Sequence, residues 1–330
     1  VKAGRVMIFD GHSDILTDVT IRTLNGENDI IRKYHLDKLR NGKISGSIFV
    51  MWIDPPFTDD AFKRSVQIVD SIKKEMEYCN DSVALVKSYK DVEKALEQNK
   101  FYVFIGLEGL SSIGDNIDLI DYFYDFGARH ASLTWNEENA LATGAKGNPE
   151  RGLSEIGKRA VRRINQKRML LDVSHLNDRS FWDVINETDK PIIASHSNCR
   201  ALCDVTRNLT DEQLKKIAEF NGLVGVNSFN QFVHRDMENQ TIEMLVRHAA
   251  HMADIMGIEH VAIGMDYCDF LDDSSMSSFS TQETSYTKGL EDSSRTYMFL
   301  EEMAKAGFTK EDIEKVAYKN YHRIIKSIIG

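Results

Sequence analysis

Short apolar runs rich in β-branched residues recur along the chain at Val6–Asp10, Ile44–Ile53, Tyr102–Leu107, His130–Trp135, Leu170–Ser174, Pro191–Ser195, Leu223–Phe229 and Val261–Met265. Their length predicts strands, and their near-continuous apolar character is what a strand covered on both faces requires. Between them apolar residues return at helical spacing, as at Phe62, Val66, Val69 and Ile72 or at Leu214, Ile217 and Ala218. Eight strands alternating with helices, with no Gly/Pro-rich linker to divide them, predict an α/β fold: a single (β/α)8 TIM-like barrel over residues 1–330 rather than two doubly wound domains. Thr296–Ala306 and Lys310–Ile329 carry two further helical patterns, the second announced by Thr309 as N-cap with Asp312 three residues on. The barrel is therefore expected to end in extra C-terminal helices.

One segment departs from this pattern. After the eighth strand, Asp272–Ser280 is polar, Ser-rich and longer than an ordinary βα connection. It reads either as a tolerated surface insertion or as a lid, because the βα loops of a barrel ring its active site. Composition narrows the class further. The 330 residues carry 41 Lys+Arg against 51 Asp+Glu, a net charge of −10. That balance weighs against nucleic acid as a partner, since such affinity comes from basic residues on phosphates. No run approaches the roughly 18 apolar residues of a membrane span, and Val1-Lys2-Ala3-Gly4-Arg5 lacks the apolar core of a signal peptide. Cys79, Cys199, Cys203 and Cys268 form no CxxC pair and no disulfide framework. Together these features predict a cytoplasmic protein with no membrane partner.

The candidate chemistry lies at the strand ends. The first strand runs into Asp10-Gly11-His12-Ser13-Asp14, where alternation in extended chain would let His12 and Asp14 share a face. The third ends in Gly106-Leu107-Glu108-Gly109, the fifth in Asp172-Val173-Ser174-His175, the sixth in Ser195-His196-Ser197 and the eighth in Gly264-Met265-Asp266. Each is weak alone: a strand-end His is usually a surface or hydrogen-bonded residue, Glu108 suits a helix start, and Asp266 suits a turn. A barrel, however, brings all these ends to one mouth, where its catalytic groups sit. Three His and three carboxylates without Cys suit borderline to hard divalent ions, zinc first, with manganese, iron or cobalt as alternatives. Two ions sharing one carboxylate would use all three His and two acids, leaving one acid for proton transfer.

In order and placement, these motifs resemble the membrane (renal) dipeptidase family, a zinc dipeptidase branch of the amidohydrolase superfamily, and its bacterial members in particular. Leu133-Thr134-Trp135-Asn136, Arg207-Asn208 and Gly289-Leu290-Glu291-Asp292 extend the resemblance over nearly the whole chain. It implies a cofactor of two zinc ions per chain, with His12 and Asp14 on one ion, His175 and His196 on the other, and Glu108 bridging. It also implies Asp266 as acid/base and Arg207 as the fork that holds the carboxylate of a dipeptide substrate, a role suited to the guanidinium. Read without the family, Arg207 is a surface arginine. The implied activity is hydrolysis of small dipeptides with a free C-terminal carboxylate, including a D-residue at that end, by a protein compatible with a homodimer.

Two positions depart from the family pattern. Mammalian members have a His where this chain has Trp135, which then becomes a pocket wall, an indole N–H donor to substrate, or an aromatic packed in the core. Near the C-terminus, Tyr318-Lys319-Asn320-Tyr321 replaces a Gly-x-Asn-Phe pattern, a change expected to affect packing. Two rival functions stand beside the dipeptidase: an amidohydrolase-type enzyme acting on another amide, lactam or ester, and a non-catalytic metal-stabilised binding protein. A spare acid at Asp266 favours an enzyme, because a structural metal site needs none.

Overall fold

The structure is a computed structural model that describes residues 7–330; Val6, the expected start of the first strand, lies outside them. Among the described residues the strands are β1 (Ile8–Ser13), β2 (Ile44–Trp52), β3 (Val83–Leu85), β4 (Phe101–Glu108), β5 (Ala128–Ser132), β6 (Leu170–Asp172), β7 (Ile192–Ala194), β8 (Leu223–Val226) and β9 (Val261–Ile263). All pairings are parallel. The order β1-β2-β4-β5-β6-β7-β8-β9 forms a nearly closed barrel of eight parallel strands with helices between, and β3 is an unanticipated spur on β4. Where β9 comes round to β1, the Asp10 carboxylate accepts the Met265 N–H at 2.9 Å.

Several strands stop short of their expected ends because their last backbone polar groups find partners outside the ladder. Ser174 and Ser195 both donate to Asp172 Oδ1, at 2.9 and 3.1 Å. Past β5, the Leu133 carbonyl turns to Leu110 N and Asn139 Nδ2. The mouth of the barrel is therefore built from irregular backbone.

Alternation sorts the strand residues into two cores. Ile8, Phe49, Val103, Ile105, Leu171 and Val224 belong to the large outer cluster under the helices. Phe9, Ile48, Tyr102, Phe104, Leu170, Ile193, Leu223 and Ala262 fill the barrel together with Tyr321, Ile324 and Ile325 of the C-terminal helix Asn320–Ile328. This helix closes the N-terminal end, and Phe9 packs on Tyr321 and Tyr102 with ring centroids 4.8 and 5.7 Å apart. Gly11 makes room for it, since a Cβ there would lie 1.8 Å from Tyr321 Oη.

The helix expected over Lys310–Ile329 is broken by a wide π turn at Lys315–Lys319. The turn brings the Asn320 amide to the Ile258 and Val261 carbonyls, at 2.8 and 2.7 Å, at the start of β9. Asn320 is the residue this segment shares with the Gly-x-Asn-Phe pattern, and Tyr321, in place of its Phe, is buried in the barrel core. The Thr309–Asp312 capping box is present.

Candidate metal centre

The structure gathers the strand-end residues at one mouth, though not all for the expected reason. Phe9 faces the barrel interior, so strict alternation would put His12 on the outer face with Ile8. The β1–β2 ladder instead shifts register between Asp10 and Ser13, and the irregularity turns His12 toward the mouth. Asp14 lies beyond the strand as N-cap of the helix Ile15–Leu24. Glu108 closes β4 in register with Trp52, while His175, His196 and Asp266 follow β6, β7 and β9 by two or three residues. Asp266 has φ +59°, a left-handed conformation that Asp tolerates better than bulkier residues.

These side chains converge on one oxygen. Glu108 Oε1 lies 2.8 Å from His175 Nε2, 3.5 Å from His12 Nε2 and 3.6 Å from His196 Nε2. His12 Nε2 is also 3.3 Å from Asp14 Oδ2 and 3.7 Å from Asp266 Oδ1. All are buried except Asp266, which is partly open. The sets His12, Glu108, His196 and His12, Asp14, Asp266 each place their ligand atoms within 4.8 Å of one another. This donor set suits borderline divalent ions, and the fit is sharpened by Asp14 Oδ1, a buried acceptor without a hydrogen-bond partner. Asp266, expected as a free acid, stands within ligand reach of His12.

The electrostatics express the same crowding. Burial pushes Asp266 up to about 6, with His12 opposing and Asp14 adding to the rise. Burial also drives Glu108 well above the usual carboxylate range. For His12 burial works downward, but the carboxylates of Glu108 and Asp14 overcome it and lift the ring to about 10. His175 and His196 fall well below the usual imidazole range, by burial and by the positive charges of Arg207 and His12. Three carboxylates crowd one imidazole here, and desolvation raises two of them, Glu108 and Asp266, an arrangement that a bound cation would relieve.

The sequence pattern of the membrane dipeptidase family, peptidase family M19, matches residues 3–329. The chain belongs to this family. The M19 peptidase is 26% identical to an uncharacterized dipeptidase of Schizosaccharomyces pombe, over 97% of this chain and 80% of that one. It is 24% identical to the dipeptidase tcpJ of Claviceps purpurea, over 91% and 70%. Its fold is shared with a metallo peptidase from Rhodobacter sphaeroides bound to a phosphinate mimic of the dipeptide L-Ala-D-Ala, at a TM-score of 0.86 and 23% identity over 98% and 99%.

Over the candidate metal centre of the M19 peptidase opens a pocket of about 400 Å³, lined among others by Asp14, Glu108, His175, Arg207 and Asp266. Trp135 is part of its wall, half-buried, with its ring 5.2 Å from Trp52 and 6.2 Å from His175. Arg207 is buried, and its terminal nitrogens donate to the Ser174 carbonyl, to Ser197 Oγ at 3.3 Å and to the His196 carbonyl at 3.3 Å. The surface-arginine reading is thus overturned. The guanidinium is aimed by the same loops that carry the histidines, and its Nε has no partner. The segment Asp272–Ser280 holds a short helix, Asp273–Met276, and sends Phe279 into the pocket against Trp52 and Trp135.

Sequence reasoning missed Trp52, Phe229, Phe232, Asn136 and Asn227. Asn227 Nδ2 donates to Asp266 Oδ2 at 3.0 Å, and Asn136 Oδ1 meets His175 Nδ1 at 3.0 Å. Asn136 stood beside Trp135 in a quoted motif, and Phe229 ended an expected strand. No periodicity marks the others, because each joins the site only through its neighbours across the mouth. Among the described residues, no helix is long and apolar enough to cross a membrane.

Proposed function

We propose that this M19 peptidase is a two-zinc dipeptidase that hydrolyses small dipeptides with a free C-terminal carboxylate, including those with a D-residue at that position. The reading is carried by the convergence of three imidazole Nε2 atoms on Glu108 Oε1 beneath a pocket of dipeptide size. The dipeptide mimic on the Rhodobacter sphaeroides relative supports the substrate class and its stereochemistry. The whole of residues 1–330 would act as one catalytic unit in the cytoplasm, where its free thiols stay reduced.

His12 and Asp14 would hold one ion, His175 and His196 the other, with Glu108 between them. Divalent ions bound there supply Lewis acidity to the scissile carbonyl and lower the pKa of water. Asp266 takes the proton from the attacking water and returns it to the departing amine, so it leaves the cycle as it entered. In the metal-free protein burial raises its carboxyl to about 6. Asn227 holds one oxygen and leaves the other toward His12. Arg207 receives the substrate carboxylate, and Trp135 bounds the side-chain space.

The test is a panel of dipeptides, with both stereochemistries at each position, on zinc-reconstituted protein. Hydrolysis of free-acid dipeptides and much weaker hydrolysis of their C-terminal amides are expected, with Arg207→Ala erasing most of that difference. Equal cleavage of acid and amide by the wild type removes the role of Arg207. Cleavage of other amides, lactams or esters alone would move the protein to the rival enzyme class.

A further inference from the structure

Asp172, the last residue of β6, is outside the ligand set, yet donors surround its buried carboxylate. Oδ1 accepts from Ser174 N at 2.9 Å, Ser174 Oγ at 2.6 Å and Ser195 N at 3.1 Å. Oδ2 accepts from His130 Nε2 at 2.8 Å and, in a short bond, from Ser195 Oγ. Burial pushes Asp172 up, but His130 and the two serines hold it below the usual carboxylate range. Five donors on its two oxygens leave the carboxylate the role of acceptor throughout, a hub tying β5, β6 and β7 together at the floor of the mouth.

The hydrogen count at Ser195 follows from this. An ionised carboxylate only accepts, so the single hydroxyl hydrogen of Ser195 points at Asp172. The same Oγ lies 2.7 Å from His196 Nδ1. With its hydrogen engaged, Oγ can only accept there, which puts a proton on Nδ1. In a neutral imidazole the other nitrogen is then bare, and His196 Nε2 is the atom facing Glu108 at 3.6 Å and His175 Nε2 at 2.9 Å. The His196 backbone is tied to the same hub, its N–H donating to Ser174 Oγ at 3.2 Å.

We propose that Ser195, aimed by Asp172, is a positioning residue that fixes the tautomer and orientation of His196, keeping a bare Nε2 toward the metal centre. The consequence for metal binding rests on the reading of His196 as a ligand. Partners that orient a ligating histidine are worth roughly 10–100-fold in metal affinity.

Two measurements test this on the full chain. Zinc competition against a chromophoric chelator compares the wild type with Ser195→Ala and His196→Ala. Nitrogen-15 spectra of labelled histidine read the ring tautomers of chelator-stripped protein. Expected are a loss of roughly 10–100-fold in the affinity for one zinc in Ser195→Ala, an equal or larger loss in His196→Ala, and a wild-type His196 protonated on Nδ1. Wild-type affinity in Ser195→Ala beside a clear loss in His196→Ala overturns the proposal. A wild-type His196 protonated on Nε2 also overturns it, with no variant needed. Wild-type affinity in His196→Ala would defeat the ligand reading itself, and the tautomer spectra would still decide the role of Ser195.

Discussion

The two ends of the barrel are built on the same strands and obey opposite rules. At the N-terminal end, Phe9, Tyr102 and Phe104 meet Ile324 and Ile325 of the closing helix in an apolar core, and burial there removes apolar surface from water. A few residues further along, the strands deliver His12, Glu108, His175 and His196, with the partly open Asp266, into a cluster of ionisable groups. That cluster costs folding free energy unless cations compensate it. Apolar burial thus gathers at one end of the barrel and ionisable groups at the other. Tyr321 joins them: its ring lies in the apolar core, and its hydroxyl donates to the Ser195 carbonyl at 3.3 Å.

The strongest way to break this comparison is at the charged end. Asp266→Asn should lower kcat by roughly 10²–10⁴-fold while zinc content stays near that of the wild type. Because the raised Asp266 carboxyl opposes folding when ionised, thermal stability of the zinc-free variant should not fall. Steady-state kinetics, metal analysis and calorimetry check all three, and near-wild-type turnover would hand the proton to another group.

At the other end, Ile324→Ala should cost about 2–5 kcal/mol of stability, as large-to-small core changes do, with kcat per folded molecule preserved. Urea unfolding beside active-site titration measures both. A selective loss of kcat would mean that the closing helix shapes the metal centre as well as stabilising the fold.

Acid should weaken the apolar end through His322. Burial lowers this ring to about 4, and Tyr102 Oη lies 2.8 Å from its Nε2. The folded state therefore binds fewer protons than the unfolded chain between the ordinary value of 6.5 and about 4. The contribution of His322 is fully present above pH 6.5 and is lost as pH falls through 4, about 3 kcal/mol in all. Denaturant midpoints at pH 7 and pH 4 should draw closer in His322→Gln than in the wild type. An unchanged gap would assign acid sensitivity elsewhere.

The smallest effect is expected at Trp135. As a wall beside His175 and Trp52, Trp135→Phe should shift side-chain preference across the dipeptide panel by roughly tenfold, the scale of modest pocket changes, with kcat largely kept. Trp135→His gives the matching comparison with a ring donor restored. A collapse of kcat for every substrate in Trp135→Phe, with folding and zinc intact, would identify the indole N–H as a donor to the carbonyl.

Much of this was legible before any coordinates. Glu108, His175, His196 and Asp266 were marked as chemistry because each interrupts or ends an apolar run, and a barrel leaves such residues only one shared place to go. His12 reaches the mouth for a different reason from the alternation expected along Asp10–Asp14: strict alternation would turn it outward, and the register shift after Asp10 brings it in. The Asp172–Ser195–His196 chain was invisible although all three residues stood in quoted motifs. Hydrogen bonds between neighbouring strands depend on register, and no local pattern encodes register.

The sequence by itself determined the alternation of strands and helices, the polar residues at the strand ends and the family. Each of these is written in residues close together along the chain, through periodicity of 2 or 3.6 and the identity of single side chains. Only the tertiary structure decided that Arg207 is buried beside His175, that Phe279 of the Ser-rich loop faces Trp135, and that Tyr321 reaches from the C-terminus to the floor of the metal centre. Those contacts join residues from 32 to 144 positions apart. Their geometry is set by how the barrel closes, which is a property of all its strands together.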